Sequence, residues 1–204
     1  MASFQLTHAA TLASGEMLYR IMKIPKDAKK VFKGIIFDVY QWQQKMFDGS
    51  SATFERIKRP NTAQIIPTVG DKILIAREKQ PDMDWCHSFF GGRIEAGEEP
   101  LEAAKREFRE ESGMETNDWE LFAEYEPESK IDWTIFIYVA RNAAKIGEQN
   151  FDPGEKIEIK EVDFDEFLNI VFSDEFFERD FAVDVAKILR QPDGYNVLKK
   201  RIFG

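Results

Sequence analysis

Cysteine is nearly absent. Cys86 is the one cysteine in 204 residues, so no disulfide can form within the chain. Standing alone, it reads as a small packing residue rather than a nucleophile. Histidine is scarce too: His8 and His87 lie far apart and share no ligand spacing, which leaves a histidine metal centre without support. No run approaches the roughly 18 consecutive apolar residues that a membrane helix needs. The N-terminus lacks the basic-then-apolar order of a secretion signal. A cytoplasmic protein with no membrane association is the expectation. Positive charge is in deficit, with 28 Lys and Arg against 37 Asp and Glu, a net charge of −9 and a pI near 4.9. That balance offers no basic footprint for a nucleic-acid polymer. A small polyanionic substrate would need local help from metal ions and a few arginines. Internal repeats and low-complexity segments are also missing.

The chain does have ample apolar and aromatic residues, 43% and 13%, for one packed core with a modest extension. The first 30 residues are mixed, with a short helix expected at Glu16–Met22. Gly34–Gln44 and Thr53–Lys58 read as a hairpin around Asp48-Gly49, a strong turn signal. It carries Phe37, Val39, Tyr40 and Trp42, more apolar surface than a lone hairpin should expose. Further strands are expected at Thr62–Thr68, Lys72–Arg77, Trp85–Phe90, Glu120–Tyr125, Trp133–Arg141 and Lys156–Val162. Asp163 opens a helix to Val171, and a last helix is expected over Asp174–Leu189, ended by Pro192-Asp193-Gly194. This order predicts an α/β protein, a mixed sheet with helices on its faces.

The distinctive stretch is Gly91–Met114. A glycine pair leads towards a helix whose first turn suits Pro100 and whose end suits a left-handed Gly113. At about 100° per residue, Leu101, Ala104 and Phe108 form a core stripe. Glu102, Lys105 and Arg109 face water, and Glu107, Glu110 and Glu111 share a third arc. Like charges at these spacings repel, and Glu110 and Glu111 sit in the last turn, where the helix dipole disfavours them. Arg106, four residues before Glu110, can hold it by an ion pair. A local rule broken without local compensation points to a functional site. The compensation would be a hard divalent cation bound through carboxylate, water and phosphate oxygens. A solvated acidic face is the plain alternative.

The spacing decides between them. Gly92 is followed by five residues and Glu98, then seven more lead to Arg106-Glu107-Phe108-Arg109-Glu110-Glu111-Ser112-Gly113-Met114. This resembles the signature of the Nudix hydrolases, Gly-x5-Glu-x7-Arg-Glu-U-x-Glu-Glu-x-Gly-U with U bulky and apolar, at every fixed position. The hairpin before the core, Glu55-Arg56 with Arg59-Pro60 at its exit, and Gly154-Glu155-Lys156-Ile157 near the end look like the ADP-ribose pyrophosphatase branch. The resemblance implies a Nudix fold, an α/β/α sandwich over residues 59–204. Residues 1–58 would form an N-terminal extension whose hairpin joins a homodimer. It implies Mg²⁺, with Mn²⁺ as a substitute, on Glu107, Glu110, Glu111 and the Gly91 carbonyl, with Arg106 steadying a metal-binding carboxylate. Glu155 in its loop is the implied general base, with Glu111 as rival and Asp152 as a third candidate. Arg59, Arg77 and Glu98 are expected around the substrate. Trp42 and Trp133 are expected in packing rather than on a base. The activity implied is hydrolysis of a nucleoside diphosphate sugar, foremost ADP-ribose to AMP and ribose 5-phosphate. A dinucleoside polyphosphate, a modified nucleoside triphosphate, or a non-catalytic ligand sensor on the same fold are the alternatives.

Overall fold

The structure, a computed structural model, describes residues 23–127, 129–150 and 154–204. The helix expected at Glu16–Met22 and the candidate base Asp152 lie outside these residues. In chain order the elements are β1 Lys29–Lys33, β2 Asp38–Lys45, β3 Ser51–Lys58, β4 Thr62–Val69, β5 Lys72–Gln80, β6 Met83–Ser88 and β7 Phe90–Arg93. Then follow α1 Pro100–Ser112, β8 Met114–Glu115, β9 Asp118–Tyr125, β10 Ile131–Asp132, β11 Ile135–Arg141, β12 Ala144–Lys145, β13 Lys156–Val162, α2 Phe164–Val171, α3 Arg179–Leu189 and α4 Gly194–Phe203.

Two compact units result. The first comprises residues 1–60 and 123–134, and the second residues 61–122 and 135–204. The first thus takes in a segment far along the chain, through β10, which runs parallel to β3. Its sheet has the order β1-β2-β3-β10. The β2–β3 hairpin turns through Gly49 at φ 86°, with Asp48 accepting from the Ser50 N–H at 2.9 Å. The expected strand from Gly34 begins later, at Asp38. Gly34 to Phe37 is instead a bend closed by the Gly34 N–H on the Phe37 carbonyl. Trp42 packs on Phe54 and Trp133 under Arg59, as packing residues should.

The second unit is built on a mixed sheet, β13-β5-β4-β11-β9. β11 is parallel to β4 and β13 is antiparallel to β5 along its whole length. β4 and β5 pair only beside their turn, at Thr68↔Ile73 and Val69↔Lys72. Beyond it they diverge, and the β6–β7 strand fills the wedge. Its first half pairs with β5, to Ser88↔Ala76, and its second half with β4, from Phe90↔Ile65. Phe89 is the residue at the switch.

Alternation along these strands sorts two cores. One face sends Ala63, Ile65, Leu74, Ala76, Phe90 and Ile157 against Ala103, Ala104 and Phe108 of α1. The other side gathers rings from α2, α3 and the turn before α3 around Phe89, whose centroid lies 4.8 Å from Phe181 and 5.3 Å from Phe176. A mixed sheet with helices packed on it is the α/β arrangement expected. α2 starts as expected, with Asp163 accepting from the Glu166 N–H at 2.8 Å.

Two expectations for the C-terminus need correction. α3 begins at Arg179 rather than Asp174, because residues 175–177 pair with the edge of β6: the His87 N–H donates to Glu175 O at 2.8 Å and the Phe177 N–H to His87 O at 2.9 Å. α3 does end at Leu189, before Pro192-Asp193-Gly194, but it is not the last helix. Asp193, in a left-handed conformation, turns the chain into α4. α4 is tied to the sheet through Arg141, a buried guanidinium that donates to the carbonyls of Ile202 at 3.0 Å and Arg201 at 2.7 Å. Arg141→Met keeps the stem and removes both bonds. The expected result is a loss of about 1.5–3 kcal/mol in urea unfolding, the range for hydrogen bonds to charged groups, with faster amide exchange along α4.

Candidate active site

α1 begins with Pro100 at its first position and ends on Gly113, at φ 66° and ψ 23°, whose N–H returns to Arg109 O. The carbonyls left over at its end are satisfied by the loop that follows β12. Asn150 N–H donates to Glu110 O at 2.7 Å, Gln149 Nε2 to Glu111 O at 2.8 Å, and Ile146 N–H to Gly113 O at 2.8 Å. The end of α1 that carries the acidic residues is therefore held from outside the helix.

Glu111 is buried, and its carboxylate accepts from the Gly91 N–H at 2.7 Å. This contact joins the helix to β7. Gly91 has φ 140°, and a Cβ there would stand 2.1 Å from Ala63 O, so β7 can lie this close to β4 only with glycine. Gly92 serves another purpose. A Cβ there would lie 2.5 Å from the Glu107 carboxyl, so its bareness makes room for that side chain.

Arg106 organises the opposite edge of the patch. It meets Glu98 in a two-pronged pair, Nε to Oε1 and Nη2 to Oε2, both at 3.0 Å. Nη1 reaches Glu107 at 2.8 Å and Glu110 at 3.2 Å, and Nη2 also donates to Arg93 O. Arg106 and Glu110 thus pair as their spacing predicts. Glu98, expected near substrate, has both oxygens engaged by Arg106.

Glu155, nine residues before the start of α2, lies in the loop leading into β13, and its charge bears on the carboxylates of this patch. Burial is the first cause that raises Glu78, Glu107 and Glu111 above the usual carboxylate range, Glu111 most strongly. The negative charge of Glu155 adds to the shift at all three. Glu78 carried no signal in the sequence. Its placement follows from register: Glu78 lies opposite Ile157 and Cys86, and Ala76, two residues earlier, packs against α1. Glu78 therefore points to the α1 side. Burial and then the Glu78 charge push the Cys86 thiol up to about 11, which suits a packing residue and not a nucleophile.

Arg77 is adjacent on β5, on the other side of the sheet. It pairs with Glu158 at 3.0 Å and lies over Trp85 at 4.7 Å, and it is not among the groups gathered at α1. Arg59 belongs to the first unit, its guanidinium 4.1 Å from the Trp133 ring centroid and 5.9 Å from that of Phe37.

The donor chemistry of this patch fits a hard divalent cation. It is all oxygen, its carboxylates crowd one another, and the hydrogen-bond partner of the most buried one is a backbone amide rather than a cation. Among the described residues no three Asp, Glu, His or Cys side chains converge on one point. Glu107 and Glu110 are turned to Arg106 and Glu111 to Gly91, so cation binding would have to draw Glu107 and Glu110 away from the arginine.

Comparisons bear on the family and the fold. The NUDIX domain family matches residues 58–182. The ADP-ribose pyrophosphatase of Bacillus subtilis (strain 168) is 24% identical over 154 residues, covering 74% of this chain and 83% of that protein. A crystal structure of an ADP compounds hydrolase superposes with a TM-score of 0.65 at 21% identity, over 81% of this chain and 92% of that one. At that identity the structural likeness speaks for the fold.

Gly92→Ala tests the arrangement. The added methyl meets only the far end of a flexible side chain, so the melting temperature should stay nearly unchanged while Glu107 is displaced. Mg²⁺ affinity, measured by calorimetry, should fall by roughly 10-fold or more, as when the support of a metal ligand is disturbed. Wild-type affinity in this variant would remove Glu107 from the metal site.

Proposed function

The chain belongs to the NUDIX domain family, and from that premise we propose that it is a Mg²⁺-dependent pyrophosphohydrolase that splits ADP-ribose into AMP and ribose 5-phosphate. The observation that carries the reading is the buried Glu111 carboxylate at the end of α1, held by the Gly91 N–H at 2.7 Å, on a helix face that also carries Glu107 and Glu110. The Bacillus relative's name supports the choice of substrate.

Glu107, Glu110 and Glu111, with the Gly91 carbonyl, would hold the cation. A divalent cation held there would offset the charge that develops in the transition state and would lower the pKa of water. The chain's own residues do the rest. Arg106 fixes the rotamers of Glu107 and Glu110 from the side of Glu98. Glu155 takes the proton of the attacking water as its oxygen adds to phosphorus and the P–O–P bond breaks. Arg59, a planar cation steadied on an aromatic face, is suited to a phosphate or to the distal ribose.

Glu155→Gln keeps the shape but cannot take the proton, and should lower kcat by roughly 10²-fold or more with little change in KM and in Mg²⁺ affinity. Glu111→Gln should lose both turnover and Mg²⁺ affinity. If Glu155→Gln keeps wild-type kcat and Glu111→Gln alone abolishes it, the base lies on α1. Substrate is tested with a phosphatase-coupled screen, because AMP and ribose 5-phosphate yield phosphate to alkaline phosphatase and ADP-ribose does not. Phosphate release from dinucleoside polyphosphates in preference to ADP-ribose, or chromatographic formation of nucleoside monophosphate from nucleoside triphosphates without the phosphatase in preference to ADP-ribose cleavage, would overturn the substrate. Mg²⁺ binding without turnover of any of them would indicate a sensor.

The first unit is proposed to join a homodimer. Phe32 at 59%, Ile35 at 98% and Phe47 at 112% relative exposure lie with Ile36, Phe37 and Ile57 on its surface, an apolar display of the kind that marks an interface. Sedimentation should give a dimer at micromolar concentration, and Ile35→Asp combined with Phe32→Asp should give monomers. A monomeric wild-type protein would refute the assembly.

A further inference from the structure

Among the described residues, Glu178 is a buried carboxyl group that the reaction above does not use. It is 9% exposed, on the side of the sheet away from α1. It stands at the N-cap of α3, where a side-chain oxygen ordinarily accepts from the first turn. It makes no such bond. Its Oε1 instead accepts from the Phe89 N–H at 3.2 Å and from Gln64 Nε2 at 2.9 Å. Oε2 is buried with no hydrogen-bond partner among the described residues. Burying a carboxyl costs stability unless its contacts compensate, and giving up a helix cap adds to that cost. Burial, the first cause, raises the group to about 8.

Phe89 is where the strand leaves β5 and joins β4. A backbone amide at such a switch has no ladder partner, and an unpaired buried N–H is unfavourable. Glu178 supplies the acceptor. Its second partner, Gln64, lies opposite Gly91 in the β4–β7 register. The one carboxyl group therefore holds Gly91's own strand at Phe89, two residues earlier, and the neighbouring strand β4 through Gln64, opposite Gly91, whose N–H holds Glu111.

We propose that Glu178 is a positioning residue for the metal loop, fixing the β6–β7 switch so that the Gly91 backbone meets Glu111. The proposal rests on the pyrophosphohydrolase reading for its catalytic consequence, but its structural content does not depend on the substrate.

Glu178→Leu removes the acceptor at similar volume, and Glu178→Gln keeps an oxygen for both donors. In the metal-free protein, Glu178→Leu should shift the Gly91 amide resonance and speed exchange of the amides at 89–92. It should weaken Mg²⁺ binding in calorimetry by roughly 10–100-fold, the usual loss when the support of a metal ligand is removed. Glu178→Gln should restore all three. A folded Glu178→Leu protein with wild-type Mg²⁺ affinity and an unmoved Gly91 amide would overturn the proposal, since a residue that only fills space moves neither. Should Glu178→Leu be insoluble, Glu178→Asp, which withdraws the oxygens by one methylene, is judged by the same readouts. If wild-type protein hydrolyses no nucleotide but these shifts occur, the reading of the reaction fails and the positioning role stands.

Discussion

The hydrogen bond from the Gly91 N–H to the Glu111 carboxylate, 2.7 Å long, is the contact through which helix and sheet define the site. It sits in the interior and joins α1 to a strand that has just changed partners. It also leaves the crowding of Glu107 and Glu155 around Glu111 in place, because an amide dipole offsets a buried negative charge only in part. The gathering is stable only because the rest of the unit is built around it. Ala103, Ala104 and Phe108 seat α1 on the sheet, and the loop at 146–150 closes over the open carbonyls at its end. Repulsion among the carboxylates is the part of the energy that a cation would relieve.

Arginine at position 106 is part of the same balance. Its planar fork can meet Glu98 in parallel and still present Nη1 to two further carboxylates, which the point charge of a lysine cannot do. Glu98 matters here as the anchor of the fork. Without it the arginine would be drawn wholly into the acidic patch. With it, Glu107 and Glu110 are held by one shared donor group, which a doubly charged ion can displace.

The sequence made α1 and its faces legible because a helix prints its period on local residues: the core stripe, the water face and the acidic arc follow from spacing alone. The hairpin and β13 were legible by alternation and by turn residues. What was not legible depends on contacts distant in sequence. Residues 174–178 carry helix-compatible residues, yet they become an edge partner of β6 because His87 offers both backbone groups there. Pro192-Asp193-Gly194 reads as a terminator, and locally it is one; α4 exists because Arg141, some sixty residues away, accommodates its last carbonyls. Glu78 looked like one charge among many, and only the β5 register turns it to the α1 side.

Glu178 shows the limit most sharply, since its partners are a backbone amide and a glutamine far away in the chain. No motif encodes that triangle. The physical signal would have been a missing one: an acidic residue at a helix start that declines to cap it. Two buried acids, Glu111 and Glu178, bracket the same short strand through the amides of Gly91 and Phe89. Side-chain carboxylates accept from both in place of strand carbonyls. Glu111 and Glu178 are thus tied to the strand that changes partners, a strand that the sheet alone leaves incompletely paired.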